Sequence, residues 1–145
     1  LSDDLVPYQY LIEAGIEGVM LGHVQFPEVD ARPASCSSYW IKEHLKAQMG
    51  FEGVVISDDI AMAGAAGFGS LGQRVEAALN AGSDMVLLCN SPDEISEIID
   101  HLVDYGGDCE IMANLRGRDC RSWDTLRASD FWQKADERIS ILKNK

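Results

Sequence analysis

The sequence predicts an α/β fold built on a parallel sheet. Two observations carry that expectation: three short, nearly continuous apolar runs, and helical patterns that fill the intervals between them. The runs are "GVMLGHV" (18–24), "GVVISDD" (53–59) and "DMVLLCN" (84–90). Strands covered on both faces, as in parallel sheets, read as continuous apolar runs, whereas half-exposed strands alternate.

The first helical pattern, "DDLVPYQYLIEAGI", carries Leu5, Tyr8, Leu11 and Ile12 at helical spacing, and Gly15 is its expected stop. After the first run, "SSYWIKEHLKAQMG" places Ile41, Leu45 and Met49 on one face, with Ser38 as the expected N-cap and Gly50 just past the end. After the second run, "SLGQRVEAALNAG" does the same with Val75, Ala78 and Leu79, and stops at Gly82. After the third, "SPDEISEIIDHL" opens with Ser91 as N-cap, Pro92 at the first helical position and Glu94 closing a capping box. Its apolar face is Ile95, Ile98, Ile99 and Leu102. Beyond residue 103 the periodicity fades into a loop or short-helix segment. A tail helix then follows, with Ser129 as cap and Trp132, Ala135, Ile139 and Leu142 on one side.

The resulting order, α-β-α-β-α-β-α, has the spacing of βα units. Three such units complete no standard architecture: a closed barrel of this type needs eight strands and about 250 residues. The count predicts the C-terminal part of a larger α/β domain. The first residue, Leu1, agrees with a chain that begins partway through something.

Composition narrows the function classes. The chain has 145 residues, 46% of them hydrophobic, which suffices for one ordinary core. A net charge of -12 argues against binding nucleic acid or an anionic membrane surface, since both need a basic patch. No apolar stretch reaches the length of a membrane span, and the N-terminus lacks the pattern of a signal peptide. Cys36, Cys89, Cys109 and Cys120 form no CxxC pair, and no His lies at ligand spacing from them. Free structural thiols in a reducing compartment are expected, with no metal site and no cofactor.

In parallel α/β folds, chemistry gathers at the C-terminal ends of strands. Those ends offer His23, the adjacent carboxylates Asp58 and Asp59, and Cys89 with Asn90. An ionised carboxylate at such an end serves as nucleophile, general base or metal ligand, or it caps the following helix. The pattern does not choose among these. His23 either lines a pocket or is satisfied by a neighbouring backbone group, while Cys89 is expected to pack and Asn90 to turn the chain. "GAAGFGSLG" holds Gly64, Gly67, Gly69 and Gly72, but not at the spacing of a phosphate fingerprint. It reads as a flexible loop over an active site.

Longer stretches carry a resemblance. "IEAGIEGVMLGHVQFPEVDARPAS", "LKAQMGFEGVVISDDIAMAGA" and "RVEAALNAGSDMVLLCN" resemble successive segments of family 3 glycoside hydrolases. The central signature is a basic helix residue, Lys46, followed by Gly53, Val54, Val55, Ile56, Ser57 and Asp58; His44 replaces the usual aliphatic residue. The resemblance covers nearly the whole chain. It implies the last three βα units of a (β/α)8 barrel over residues 1–102, with a loop and helical tail of the same domain over 103–145.

For function, the resemblance implies retaining β-N-acetylhexosaminidase chemistry on terminal N-acetylglucosamine of muropeptides, in the cytoplasm and without a cofactor. It makes Asp58 the catalytic nucleophile and Asp59 its acidic neighbour. The family's acid/base histidine belongs to a Lys-His-Phe-Pro-Gly-His-Gly motif, which this chain lacks; His23, His44 and His101 do not match it. The expectation is therefore a nucleophile-bearing part that needs a missing N-terminal barrel half and is inactive alone. A non-catalytic truncated α/β fragment and, more weakly, a phosphate-binding barrel half are the competing readings.

Overall fold

The computed structural model describes residues 2–89, 92–102, 110–117 and 121–143. The chain forms two compact units, Leu1–Leu115 and Arg116–Lys145.

In the first unit, helix α1 (Ser2–Glu13) leads into strand β1 (Gly18–Leu21). A short hairpin follows, β2 (Gln25–Phe26) and β3 (Asp30–Pro33), and then a π-helix over Tyr39–Gln48. Strand β4 (Val54–Asp59), helix α2 (Leu71–Ala81), strand β5 (Met85–Leu87) and helix α3 (Pro92–His101) complete the alternation. The sheet has the order β1-β4-β5 and both pairings are parallel, so the "GVVISDD" strand is central. The α/β class with a parallel sheet is thus the observed one.

The strands are shorter than the apolar runs. β1 stops at Leu21 because residues 25–33 turn away into the antiparallel hairpin. β5 stops at Leu87, and Asn90 and the Ser91 cap lie outside the described residues. Residues 103–109 and 118–120, with Cys109 and Cys120, also lie outside them.

Two apolar clusters hold the helices to the sheet. Ile41 and Leu45 of the π-helix and Met49 at its C-cap pack with Phe51, Val55 and Ala81, joined by Leu5 and Ile12 of α1 and Val19 and Leu21 of β1. Val75 and Ala78 of α2 pack with Ile60, Ala65, Cys36 and Ile98, joined by Leu79, Val86, Leu88 and Leu102. Removing these side chains from water is the main favourable term available to a unit of this size.

Helix ends follow the glycines. Gly15 has φ 84°, its N–H bonds the Ile12 carbonyl, and the Ile16 N–H bonds that of Leu11, which together form a Schellman stop. Gly82, at φ 115°, ends α2 the same way through Leu79 and Ala78. The α2 N-terminus carries a full capping box between Ser70 and Gln73.

One cap differs from expectation. Ser37, not Ser38, receives the Trp40 N–H (3.1 Å), because the Ser37 hydroxyl is itself oriented by Asp30 Oδ2 at 2.6 Å. The helix that follows is also wider than an α-helix, with the Met49 N–H reaching the His44 carbonyl at 3.0 Å. A spacing of four keeps Ile41, Leu45 and Met49 on one face in either helix type, so periodicity does not separate the two.

The second unit contains α4 (Trp123–Arg127) and α5 (Asp130–Lys143). Ser122 caps the first, and Ser129 accepts the Trp132 N–H (3.2 Å) at the start of the second, as the sequence predicts. Trp123 and Trp132 meet edge to face at 5.7 Å, and the Arg127 guanidinium sits over the Trp123 ring.

Candidate active site at the end of the central strand

Gly53 opens the central strand because nothing larger fits there. A Cβ at this position would lie 2.6 Å from the Glu17 carbonyl oxygen and 2.7 Å from the Phe51 ring. Lys46, the basic residue of the signature, lies 3.5 Å from Asp84 Oδ2. The same Asp84 oxygen accepts the Val55 N–H at 2.8 Å, and the Asp84 N–H donates to the Val55 carbonyl. Lys46 therefore works through Asp84 to fix the start of the β4–β5 pairing.

The other end of β4 is irregular. Ile56 pairs with Met85 but Asp59 pairs with Leu87, so three steps on β4 match two on β5. This β-bulge spans Ser57 and Asp58. Bulges bend a strand and re-aim its side chains, and they are common beside active sites. Ser57 repairs the interrupted ladder: its fully buried hydroxyl accepts the Leu87 N–H (3.1 Å) and donates to the Asp58 carbonyl (2.8 Å).

The two carboxylates have different environments. Asp59 Oδ1 accepts the Ala61 N–H (3.1 Å) and the Cys89 N–H (3.3 Å), so it shapes the turn after β4 and ties it to the segment after β5. Neither aspartate caps α2, a role taken by Ser70. Asp58 Oδ1 accepts the Asp59 N–H at 2.8 Å, while Oδ2 has no hydrogen-bond partner among the described residues. Asp58 is half-buried and is the penultimate residue of the strand, a rigid mount with one oxygen available for chemistry.

His23 reaches this end from the segment after β1. Its Nε2 lies 2.9 Å from the Asp59 carbonyl oxygen and its Nδ1 2.7 Å from the buried Ser35 hydroxyl. The histidine is thus satisfied by a backbone group, at the end of the strand that carries Asp58.

The glycine-rich segment is ordered rather than freely flexible. Ala63–Phe68 form a 3₁₀ helix in which Ala65 is fully buried. Arg74 clamps the segment from α2: Nε donates to the Gly69 carbonyl at 2.8 Å, with longer bonds to Ile60 (3.4 Å) and Ala66 (3.5 Å). Sequence reasoning passed over Arg74, Ser35 and the bridging role of Ser57. Ser57 carried a usable signal, since a hydroxyl inside a buried strand requires a partner.

Among the described residues, no group of three His, Cys, Asp or Glu side chains is placed to hold a metal ion, and no helix is long and apolar enough to cross a membrane. Cys36 is buried, and burial pushes its thiol above the ordinary value, away from the reactive thiolate. Cys89, expected to pack, is exposed instead. A depression of about 1040 Å³ is lined by Ser70–Arg74, Glu94, Ile98 and Asp100. It holds none of the strand-end residues, so the geometry at Asp58, not that depression, marks the candidate site.

Known proteins resemble this chain over most of its length. The N-terminal domain of glycosyl hydrolase family 3 matches residues 1–116. A protein named beta-hexosaminidase from Thioalkalivibrio sulfidiphilus is 41% identical over 98% of this chain and 42% of its own length. A second so named, from Thiobacillus denitrificans, is 50% identical over 66% of this chain and 27% of its own. Among solved structures, NagZ from Neisseria gonorrhoeae in complex with N-trifluoroacetyl-D-glucosamine superposes with a TM-score of 0.74 and 32% identity, over 96% of this chain and 41% of that one. The chain spans under half the length of these relatives. On the match of residues 1–116 and on these identities, the chain belongs to glycoside hydrolase family 3.

Proposed function

We propose that the chain is the C-terminal part of the (β/α)8 barrel of a retaining β-N-acetylhexosaminidase, with Asp58 as its nucleophile. The observation that carries this reading is the position of Asp58. It is a half-buried carboxylate at the bulged C-terminal end of the central parallel strand, with Oδ1 held by a backbone N–H and Oδ2 unengaged by the described residues. A group mounted this way keeps a near-attack geometry without reorganising.

In the proposed reaction, an Asp58 carboxylate oxygen attacks the anomeric carbon of a terminal β-linked N-acetylglucosamine. The glycosidic C–O bond breaks, and the leaving oxygen takes a proton from a general acid. Water then attacks the same carbon, loses a proton to the conjugate base and releases Asp58 from the ester. His23 has both ring nitrogens engaged and does not fill the acid role. The acid comes from the barrel half outside this chain, so the chain alone is expected to turn over no substrate. Muropeptide fragments in the cytoplasm are the proposed substrate and setting, by resemblance to the family.

The test is a chimera in which this chain replaces the matching segment of the Thioalkalivibrio relative. A 5-fluoro N-acetylglucosaminyl donor should trap a glycosyl ester on the peptide that contains Asp58. Asp58→Asn, which keeps the Oδ1 acceptor and hence the fold, should lower turnover about 10³-fold or more. A label on another residue, or unchanged turnover in the variant, refutes the assignment.

A further inference from the structure

We propose that His23 is a positioning residue for Asp58, holding the backbone immediately after the nucleophile through the Asp59 carbonyl. The inference rests on the reading of Asp58 as nucleophile and adds a residue which that reading leaves without a role.

The direction of the hydrogen bonds defines the imidazole. A carbonyl oxygen only accepts, so the contact at 2.9 Å requires the proton on Nε2. In the neutral ring Nδ1 then accepts the Ser35 hydroxyl proton at 2.7 Å, a far shorter contact than the competing one from that hydroxyl to Cys36 Sγ at 3.8 Å. Ser35 is fully buried, and its N–H is bonded to the Gly22 carbonyl at 3.3 Å. One tautomer and one ring orientation follow from these partners.

From the ring, a path of two hydrogen bonds leads to the reacting group. The Nε2–H holds the Asp59 carbonyl, and the Asp59 N–H holds Asp58 Oδ1 at 2.8 Å. The second lone pair of the same carbonyl accepts the Met62 N–H at 3.0 Å, which closes the turn after β4. A Cβ at Gly64 would lie 3.1 Å from the His23 Cβ, so the glycine-rich segment braces the histidine from its other side. His23 therefore joins the segments that follow β1 and β4 at the point where the bulge has interrupted the regular ladder.

A bulge re-aims a side chain only as well as its backbone is held. Loss of the Nε2–H donor leaves the Asp59 carbonyl to the Met62 N–H, and loosens the backbone whose N–H aims Asp58. A misplacement of about 1 Å costs on the order of 10²-fold in rate. Bound substrate makes no contact with His23 in this scheme, so affinity stays unchanged.

The test uses the same chimera. His23→Phe, which keeps a ring but no donor, should lower kcat about 10- to 100-fold with KM within about twofold. His23→Gln, whose amide nitrogen reaches the Nε2 position, should restore kcat to within about threefold, whereas His23→Asn should not. Nitrogen-15 NMR of the imidazole should show the Nε2–H tautomer. Full kcat in His23→Phe, equal losses in His23→Gln and His23→Asn, or the Nδ1–H tautomer each overturn the proposal. Should His23→Phe fail to fold, the Gln and Asn pair decides. An inactive Asp58→Asn beside a fully active His23→Phe overturns the positioning role alone. An active Asp58→Asn removes the nucleophile, and the positioning role falls with it.

Discussion

The Ser57 hydroxyl takes the Leu87 N–H at 3.1 Å, standing in for the main-chain acceptor that the β-bulge has displaced. One side chain thereby lets the central strand break its register beside Asp58 and still remain paired to β5. Ser57→Ala removes this acceptor and leaves the Leu87 N–H without it. The expected loss is about 1–3 kcal/mol, read from urea unfolding, and amide exchange at Leu87 should accelerate in the native state. An unchanged midpoint would mean that the ladder closes without the hydroxyl.

Asp84 and Lys46 separate the worth of an ion pair from that of a backbone acceptor. Lys46→Met should cost only about 0.2–1 kcal/mol, since both side chains of the pair are partly exposed. Asp84→Ala should cost more, about 1–3 kcal/mol, because the Val55 N–H in a fully buried part of the strand loses its acceptor. Equal losses in denaturant titrations would show that the charge pair, not the N–H bond, sets the size of the effect.

Gly53→Ala tests the close approach of the strand to Glu17. The added methyl would fall 2.6 Å from a backbone oxygen that also accepts the Val54 N–H, so relief requires the strand to move. A destabilisation of about 1–3 kcal/mol is expected from thermal or chemical unfolding. A near-neutral result would mean that the Phe51 ring and the Glu17 peptide both yield at little cost.

Arg74 is expected to control the order of the segment after the site. Arg74→Ala removes the donors to Gly69, Ile60 and Ala66, and limited proteolysis should then cut within residues 61–69 faster than in the parent. An unaltered cutting pattern would assign the order to burial of Ala65 alone.

Asp30 gives a pH-dependent signal. The Arg32 N–H and the Ser37 hydroxyl both bond its carboxylate, and they hold its pKa below the ordinary aspartate value. A depressed folded-state pKa contributes stability that is complete above the unfolded value, near 3.9, and is lost as pH falls through the folded value. Carbon NMR should place the Asp30 midpoint below that of an unstructured aspartate. Ser37→Ala should move it up, and the Trp40 N–H should lose its cap in the same variant.

The sequence by itself determined the α/β alternation, the glycine stops at Gly15 and Gly82, and the Ser129 cap. These are local properties: apolar continuity, helical spacing and backbone freedom at single residues act within a few positions of chain. Asp58 at a strand end belongs with them, since a carboxylate after a buried apolar run is visible in the run itself. Only the tertiary structure decided the hairpin at 25–33, the choice of Ser37 over Ser38, the bulge at Ser57–Asp58 and the clamp by Arg74. Each depends on partners that packing, not local propensity, brings within reach. His23 shows the difference most directly. Its bond to the Asp59 carbonyl joins residues 36 positions apart, so no periodicity or motif records it until β1 and β4 lie side by side.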